Sequence, residues 1–297
     1  MQAIESVYLV KVYGDGVKAL HGIDISIKKG EFYTLLGLNG AGKTTFVRII
    51  STQLLPTSGE CYVLGYDVVR EASEVCKRIA VVPQDAVTYG SYTAWDYAYY
   101  FSRLRGTPRE EAKKAAEKAL RTVKMWDLRK KLCSTISGGE KKRAIIASAL
   151  ASDADILLLD ETTTGLDAIA KRSVLSSLGD LTKEGKTIIL TTHNMEEAEM
   201  ASDRLGIINK GQMVAEGSPE EIKNSMKKRY RVVLNGGPKV AKNYDDSVKI
   251  GDKYIVYVHN EDEATQIMRE ALKKGLQASV SPITLEDAFI KLVGESQ

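Results

Sequence analysis

Apolar and polar residues alternate over positions 7–27, either side of a Gly-Asp-Gly turn at 14–16, and this period of two predicts a small antiparallel sheet. Positions 32–36, Phe-Tyr-Thr-Leu-Leu, form a nearly unbroken apolar run, the pattern of a strand covered on both faces. Similar short runs recur at 79–82, 156–159 and 187–191; a strand-rich stretch lies at 59–64 and an amphipathic helix near 73–78. Helical sequence separates the later runs, so a parallel sheet covered by helices is expected. Between 93 and 152 Ala, Lys, Glu and Arg dominate, and the segment reads as helices broken at 106–108 and 137–139.

Around 217–228 the pattern loosens into Gly-Ser-Pro-Glu-Glu-Ile and a basic cluster, and a domain boundary is placed there. Beyond it 230–234 and 254–258 alternate as strands, while 262–274 and 284–293 carry helical spacing. The fold class is α/β: a core over 1–222 with a helical insertion at about 87–150, then a small α+β accessory domain over 223–297. A length of 297 residues agrees with a large core plus an appended unit.

Composition changes this picture little. Hydrophobic residues at 43% and charged residues at 27% suit a globular protein, and a net charge of +3 gives no reason to expect a nucleic-acid partner. Cys61, Cys76 and Cys133 are isolated and lack metal-type spacing, which points to a reducing cytoplasm. No run approaches the roughly 20 apolar residues that span a bilayer, and the opening Met-Gln-Ala-Ile-Glu-Ser carries no signal-peptide pattern. A role at a membrane would therefore need another chain to cross the lipid.

Candidate chemistry begins directly after the run at 32–36. Gly37, Leu38, Asn39, Gly40, Ala41 and Gly42, followed by Lys43, Thr44 and Thr45, satisfy G-x-x-x-x-G-K-[ST] at every fixed position. The glycines let backbone N–H groups wrap a phosphate, and the helix that follows directs its positive end at the same anion. A nucleoside triphosphate ligand is expected, with Lys43 on the β- and γ-phosphates and Thr44 on Mg²⁺. A second feature, Ile-Leu-Leu-Leu-Asp-Glu at 156–161, places two carboxylates at the end of a buried strand, the edge where α/β sheets bind ligands. By position Asp160 meets the metal and Glu161 acts as general base on water. Two solvated acids capping the next helix would be favourable there as well. Third, Ile-Ser-Gly-Gly-Glu at 136–140 opens a long helix; Ser137 with Glu140 reads as a capping box, and the same amides form an anion pocket.

Together these residues resemble the ATP-binding subunits of ATP-binding-cassette (ABC) transporters, with six motifs in that family's order over 1 to about 222. Beyond the phosphate loop and the acidic pair they are Gln84 after a strand, the signature Ser137, Gly138, Gly139 and Glu140, the loop Thr-Gly-Leu-Asp ending at Asp167, and His193 after a core strand. The resemblance implies a P-loop ATPase of ABC type with an antiparallel β subdomain, and two ATPase domains facing head to tail, as a homodimer or heterodimer, so that ATP on one phosphate loop is closed by the other signature. It implies that Gln84 joins the Mg²⁺ and water network, that Ser137, Gly138 and Gly139 reach the γ-phosphate, that Asp167 contacts the partner, and that His193 bonds the γ-phosphate and steadies Glu161. Tyr13 matches the aromatic that stacks on adenine, with Val17 beside it. Glu140 stands where Gln is usual and Thr162 where Pro is common; Glu140 adds negative charge near a phosphate site.

The aromatic-rich stretch 95–101 corresponds to the region that receives a short helix of a separately encoded membrane permease, and is equally the pattern of an ordinary helix core. The tail at 283–294 resembles the drug, polysaccharide and lipid exporter branch. The expected function is ATP hydrolysis that powers a membrane exporter, on the inner face of the membrane through that permease. The alternatives are a soluble cassette acting on ribosomes or DNA, against which stand the single cassette and the lack of a long heptad insertion, and a regulatory module without turnover, against which stand Glu161 and His193.

Overall fold

Every side chain of Phe32–Leu36, Ile156–Asp160 and Thr187–Thr192 is buried. Strands with no polar face need cover on both sides, and they have it in the computed structural model, which describes residues 1–236, 244 and 246–294. The described chain forms two compact units, Met1–Glu216 and Gly217–Gln297.

In the first unit, β1 (Gln2–Val12), β2 (Lys18–Lys28), β4 (Ser58–Val63) and β5 (Tyr66–Asp67) form an antiparallel sheet in the order β2-β1-β4-β5. The second sheet contains β3 (Phe32–Leu36), β6 (Ile79–Val82), β7 (Ile156–Asp160), β8 (Thr187–Thr192), β9 (Arg204–Asn209) and β10 (Gln212–Gly217), in the order β10-β9-β3-β8-β7-β6. From β9 through β6 its strands are parallel, so their C-terminal ends share one edge.

The period of two divides these buried strands between two cores. Tyr33, Leu35, Ile156, Leu158 and Ile189 meet Phe46, Ile49 and Ile50 of α1 (Lys43–Ile50) and the inner face of the antiparallel sheet. Phe32, Leu157, Leu159, Ile188 and Leu190 point the other way, onto α6 (Ala168–Lys183) and a helical segment of α3 (Ala94–Leu104), α4 (Arg109–Thr122) and α5 (Gly138–Ala151). Each large apolar side chain so buried contributes about 1.5–3 kcal/mol. The helical segment breaks between Leu104 and Arg109 and starts afresh at Gly138, and α2 (Ala72–Arg78) and α7 (Met195–Ala201) complete the unit.

The aromatic stretch has two faces. Trp95 stacks on Tyr99, packs edge-on against Trp126, and both Trp95 and Tyr99 lean on the helical core with buried Tyr97. Tyr100, Phe101 and Leu104 are exposed instead.

The second unit has four antiparallel strands: β11 (Tyr230–Asn235), β12 (Ser247–Ile250), β13 (Lys253–Val258) and β14 (Gln277–Pro282), in the order β12-β13-β11-β14. Ala264, Ile267 and Ala271 of α9 (Glu261–Lys273) cover Val232, Leu234, Val256 and Val258. At the start of α10 (Leu285–Gly294), buried Asp287 accepts from the guanidinium of Arg231 at 3.1 Å and the hydroxyl of Tyr257 at 3.0 Å. Burial, reinforced by that carboxylate, raises the Tyr257 phenol pKa well above its usual value. The loosened pattern at 217–228 is in fact structured: β10 ends at Gly217 and α8 (Pro219–Asn224) follows, capped by Ser218 and Glu221 with proline at its first turn. Six residues are too few for apolar spacing to reveal that helix. Among the described residues no helix is long and apolar enough to cross a membrane.

Candidate active site

Between β3 and α1 the chain reverses through residues 37–42. Gly40 and Gly42 have φ of +78° and +112°, values that L side chains rarely adopt. Space is also closed: a Cβ on Gly37 would lie 2.4 Å from the Ile208 carbonyl oxygen, and one on Gly42 2.7 Å from that of Ala19. Gly42 is the N-cap of α1, no side chain caps this helix and its first turn holds no acidic residue, so its amide dipoles face the loop interior. Lys43 is only 4% exposed; its Nζ donates to the carbonyls of Gly37 at 2.8 Å and Leu38 at 3.1 Å, and pairs with Glu161 Oε1 at 3.0 Å.

A cleft of about 370 Å³ opens in front of the loop, lined by Asn39, Gly40, Lys43, Thr44, Thr45, Gln84 and Glu161, among others. Tyr13 borders the same loop, its hydroxyl 3.2 Å from Thr45 Oγ1. Val17 closes the neighbouring turn through its carbonyl, which accepts the Tyr13 N–H at 2.9 Å, and its side chain is exposed.

The Glu161 carboxylate is held between the ends of β7 and β8 and the start of α1. Glu161 follows β7 with φ of +48°, a strained value for a residue with a side chain. Its N–H is fixed by Thr191, donating to both the carbonyl oxygen and Oγ1 at 3.1 Å. Oε1 then meets Lys43 at the start of α1, and Oε2 lies 3.2 Å from His193 Nδ1 just past the end of β8. Asp160, the last residue of β7, is buried and accepts a hydrogen bond from the Thr191 hydroxyl. Thr191 thus positions both acids, a role the sequence reading does not assign to it. Its signal is its place in a Thr-Thr-His run at a buried strand end.

Four signature residues and Asp167 line a different surface. Ser137 Oγ accepts from Glu140 N at 3.3 Å, and Glu140 Oε2 accepts from Ser137 N at 2.7 Å. The Ser137 N–H foremost, and the Ser137 hydroxyl after it, hold the Glu140 carboxyl below its usual pKa, so it caps the helix as an anion. Asp167 caps α6, accepting from Ala170 N at 2.8 Å. A Cβ on Gly139 would lie 3.4 Å from the Leu166 side chain, so the signature helix start and the 164–167 loop are packed together. Ser137, Gly138 and Asp167 are exposed, and none of Ser137, Gly138, Gly139, Glu140 or Asp167 lines the cleft at Lys43.

A phosphate loop facing a buried glutamate and a histidine at adjacent strand ends is an arrangement suited to a nucleoside triphosphate. Residues 20–164 match the family model described as "ABC transporter". The chain is 37% identical to the daunorubicin/doxorubicin resistance ATP-binding protein of Streptomyces peucetius, over 76% of this chain and 68% of that one. With the Nod factor export ATP-binding protein I of Rhizobium etli it shares 33% identity over 99% of this chain and 94% of that one. Among solved structures, a post-hydrolysis dimer of an ATP-binding cassette bound to ADP and Pi matches with a TM-score of 0.66 at 26% identity, over 72% of this chain and 98% of that one.

The chain belongs to the ATP-binding-cassette family, as an ATP-binding subunit. It binds and hydrolyses ATP and powers a membrane transporter.

Lys43→Ala is expected to raise the dissociation constant for ATP about 10- to 100-fold, the worth of roughly 1.5–3 kcal/mol for a hydrogen bond to a charged group. Titration with a fluorescent ATP analogue measures it, and unchanged affinity contradicts the placement of Lys43 on the phosphates.

Proposed function

We propose that the chain is the ATPase subunit of an exporter, paired with a separately encoded permease, and that each ATP lies between Lys43 of one copy and Ser137 of another. The observation that carries this is the separation just described: the signature and Asp167 stand exposed, off the chain's own Lys43 cleft, so a second copy is needed to supply them. Export is supported by the relatives named for drug resistance and Nod factor export, and by the residue pattern at 283–294.

In this reading Gly37, Leu38, Asn39, Gly40, Ala41, Gly42, Thr44 and Thr45 cradle the phosphates, and Tyr13 stacks on adenine beside Val17. Lys43 exchanges Glu161 for the β- and γ-phosphates. That exchange leaves the Glu161 carboxylate free to take a proton from water as the water oxygen bonds to the γ-phosphorus and the bond to the β-phosphate oxygen breaks. His193 steadies Glu161 through Oε2 and reaches the γ-phosphate. The hydroxyl, amide and carboxylate oxygens of Thr44, Gln84 and Asp160 suit Mg²⁺, which when bound neutralises phosphate charge. Across the seam Ser137, Gly138 and Gly139 meet the γ-phosphate, while Glu140, engaged on the Ser137 N–H, completes the cap. Residues 1–222 serve as the ATPase, and 223–297 as an accessory domain.

The permease site is a mostly apolar cleft of about 450 Å³ lined by Thr52, Cys76, Val81, Phe101, Leu104 and Ser148, among others. Leu104 is 82% exposed at its edge; such a groove takes the apolar face of a short helix. A multi-span membrane protein is expected to co-purify with the wild-type chain and to be lost with Leu104→Glu, whose ATP-dependent dimerisation stays intact. Co-purification of ribosomes or DNA in its place, or retention of the membrane protein by Leu104→Glu, contradicts the assignment.

A further inference from the structure

Glu197 on α7 is 2% exposed, although it belongs to a Glu-Glu-Ala-Glu run whose other acids, Glu196 and Glu199, face solvent. Its carboxylate joins three segments. Oε2 accepts the hydroxyl of Thr163 at 2.8 Å and that of Thr192 at 2.6 Å, and Oε1 pairs with Lys171 Nζ at 2.7 Å. Thr163 lies two residues after Glu161, Thr192 directly precedes His193, and Lys171 sits in the first turn of α6, its N–H on the Asp167 carbonyl at 2.9 Å. Thr192 Oγ1 also accepts from Asn194 N at 3.0 Å, which fixes the turn carrying His193.

A buried carboxylate remains charged only where its oxygens are met by donors, and here every donor comes from a segment that bears a site residue. A shift of Asp167 moves the first turn of α6 and with it Lys171. Through Glu197 that shift reaches the stretch after Glu161 and the strand end before His193. We propose that Glu197 is a positioning residue that couples Asp167 to the Glu161–His193 pair, so that one pocket hydrolyses ATP according to the state of the other. This rests on the shared-pocket reading above, in which Asp167 touches the second copy.

The full-length wild-type chain, Glu197→Gln, Thr163→Val and Thr163→Ser are compared for turnover against ATP concentration and for ATP-dependent dimerisation by light scattering. For the wild type a Hill coefficient approaching about 2 is expected, the ceiling for two sites. Glu197→Gln keeps an acceptor for the hydroxyls but sets an amide against Lys171, and Thr163→Val removes one donor at constant shape. Both are expected to dimerise with an unchanged KM, a kcat lower by about 10- to 100-fold and a Hill coefficient near 1; Thr163→Ser, which keeps the hydroxyl, behaves as wild type. If Glu197→Gln does not fold, Thr163→Val decides alone. Variants that dimerise and keep the wild-type Hill coefficient, whatever their kcat, overturn the coupling by itself. A Glu161→Gln chain, which traps ATP unhydrolysed, that stays monomeric with ATP overturns the shared pocket and the coupling together.

Discussion

Replacing Glu161 by Gln lowers kcat for ATP about 10²- to 10⁴-fold, the range for removing a general base, and leaves ATP bound. Gln preserves the shape of the side chain and can still hydrogen-bond His193, whose Nδ1 lies 3.2 Å from Oε2. It cannot take the proton of the attacking water. The change also removes the 3.0 Å ion pair with Lys43, so Lys43 loses that carboxylate and is more available to phosphate. The variant should therefore accumulate as an ATP-bound dimer that scattering detects and the wild type shows only transiently. Turnover within a few-fold of wild type would remove Glu161 from the role of base.

Ser137→Arg is expected to abolish both hydrolysis and ATP-dependent dimerisation while ATP affinity remains close to wild type. Ser137 is exposed at the start of α5, so a larger side chain meets no resistance within its own chain. Its Oγ accepts the Glu140 N–H, a cap whose loss costs about 1 kcal/mol and leaves the α/β core untouched. The loss of function then comes from the seam, where a long cation displaces the hydroxyl that meets the γ-phosphate. Normal dimers with ATP would contradict the assignment of Ser137 to the opposite pocket. Calorimetric ATP binding alongside turnover separates this outcome from the loss of binding expected for Lys43→Ala.

The phosphate loop and acidic pair of the candidate site were legible in the sequence because their signals are local. The buried run at 32–36 and the fixed glycines define one strand–loop–helix unit, and Asp160 and Glu161 interrupt an apolar run at a strand end. The geometry then required of Gly37 and Gly42, a carbonyl within 3 Å of any added Cβ, is a tertiary contact that only the glycine pattern hints at. Thr191 and Glu197 were not legible. A threonine inside an apolar strand reads as β-branched filler, and one glutamate among three on a short helix reads as solvated until Thr163, Thr192 and Lys171 are seen to converge on it. The weaker strands β10 and β14, Gln-Met-Val-Ala-Glu-Gly and Gln-Ala-Ser-Val-Ser-Pro, carry too few large apolar residues to announce themselves. They sit at the edges of their sheets, where one side goes unpaired and less burial is demanded. The signature was ambiguous for a different reason: a capping box and an anion site use the same amides, and in the structure the cap is formed.

The most direct test of a pocket shared between two copies is to mix two dead chains. Glu161→Gln retains an intact Ser137, and Ser137→Arg retains intact Lys43 and Glu161, so a mixed dimer contains one complete pocket and one with both defects. Combined in equal amounts before ATP is added, the two inactive chains are expected to recover hydrolysis, up to about a quarter of the wild-type rate by random pairing. A mixture as inactive as its components, or a wild-type chain fully active as an enforced monomer, would contradict the account.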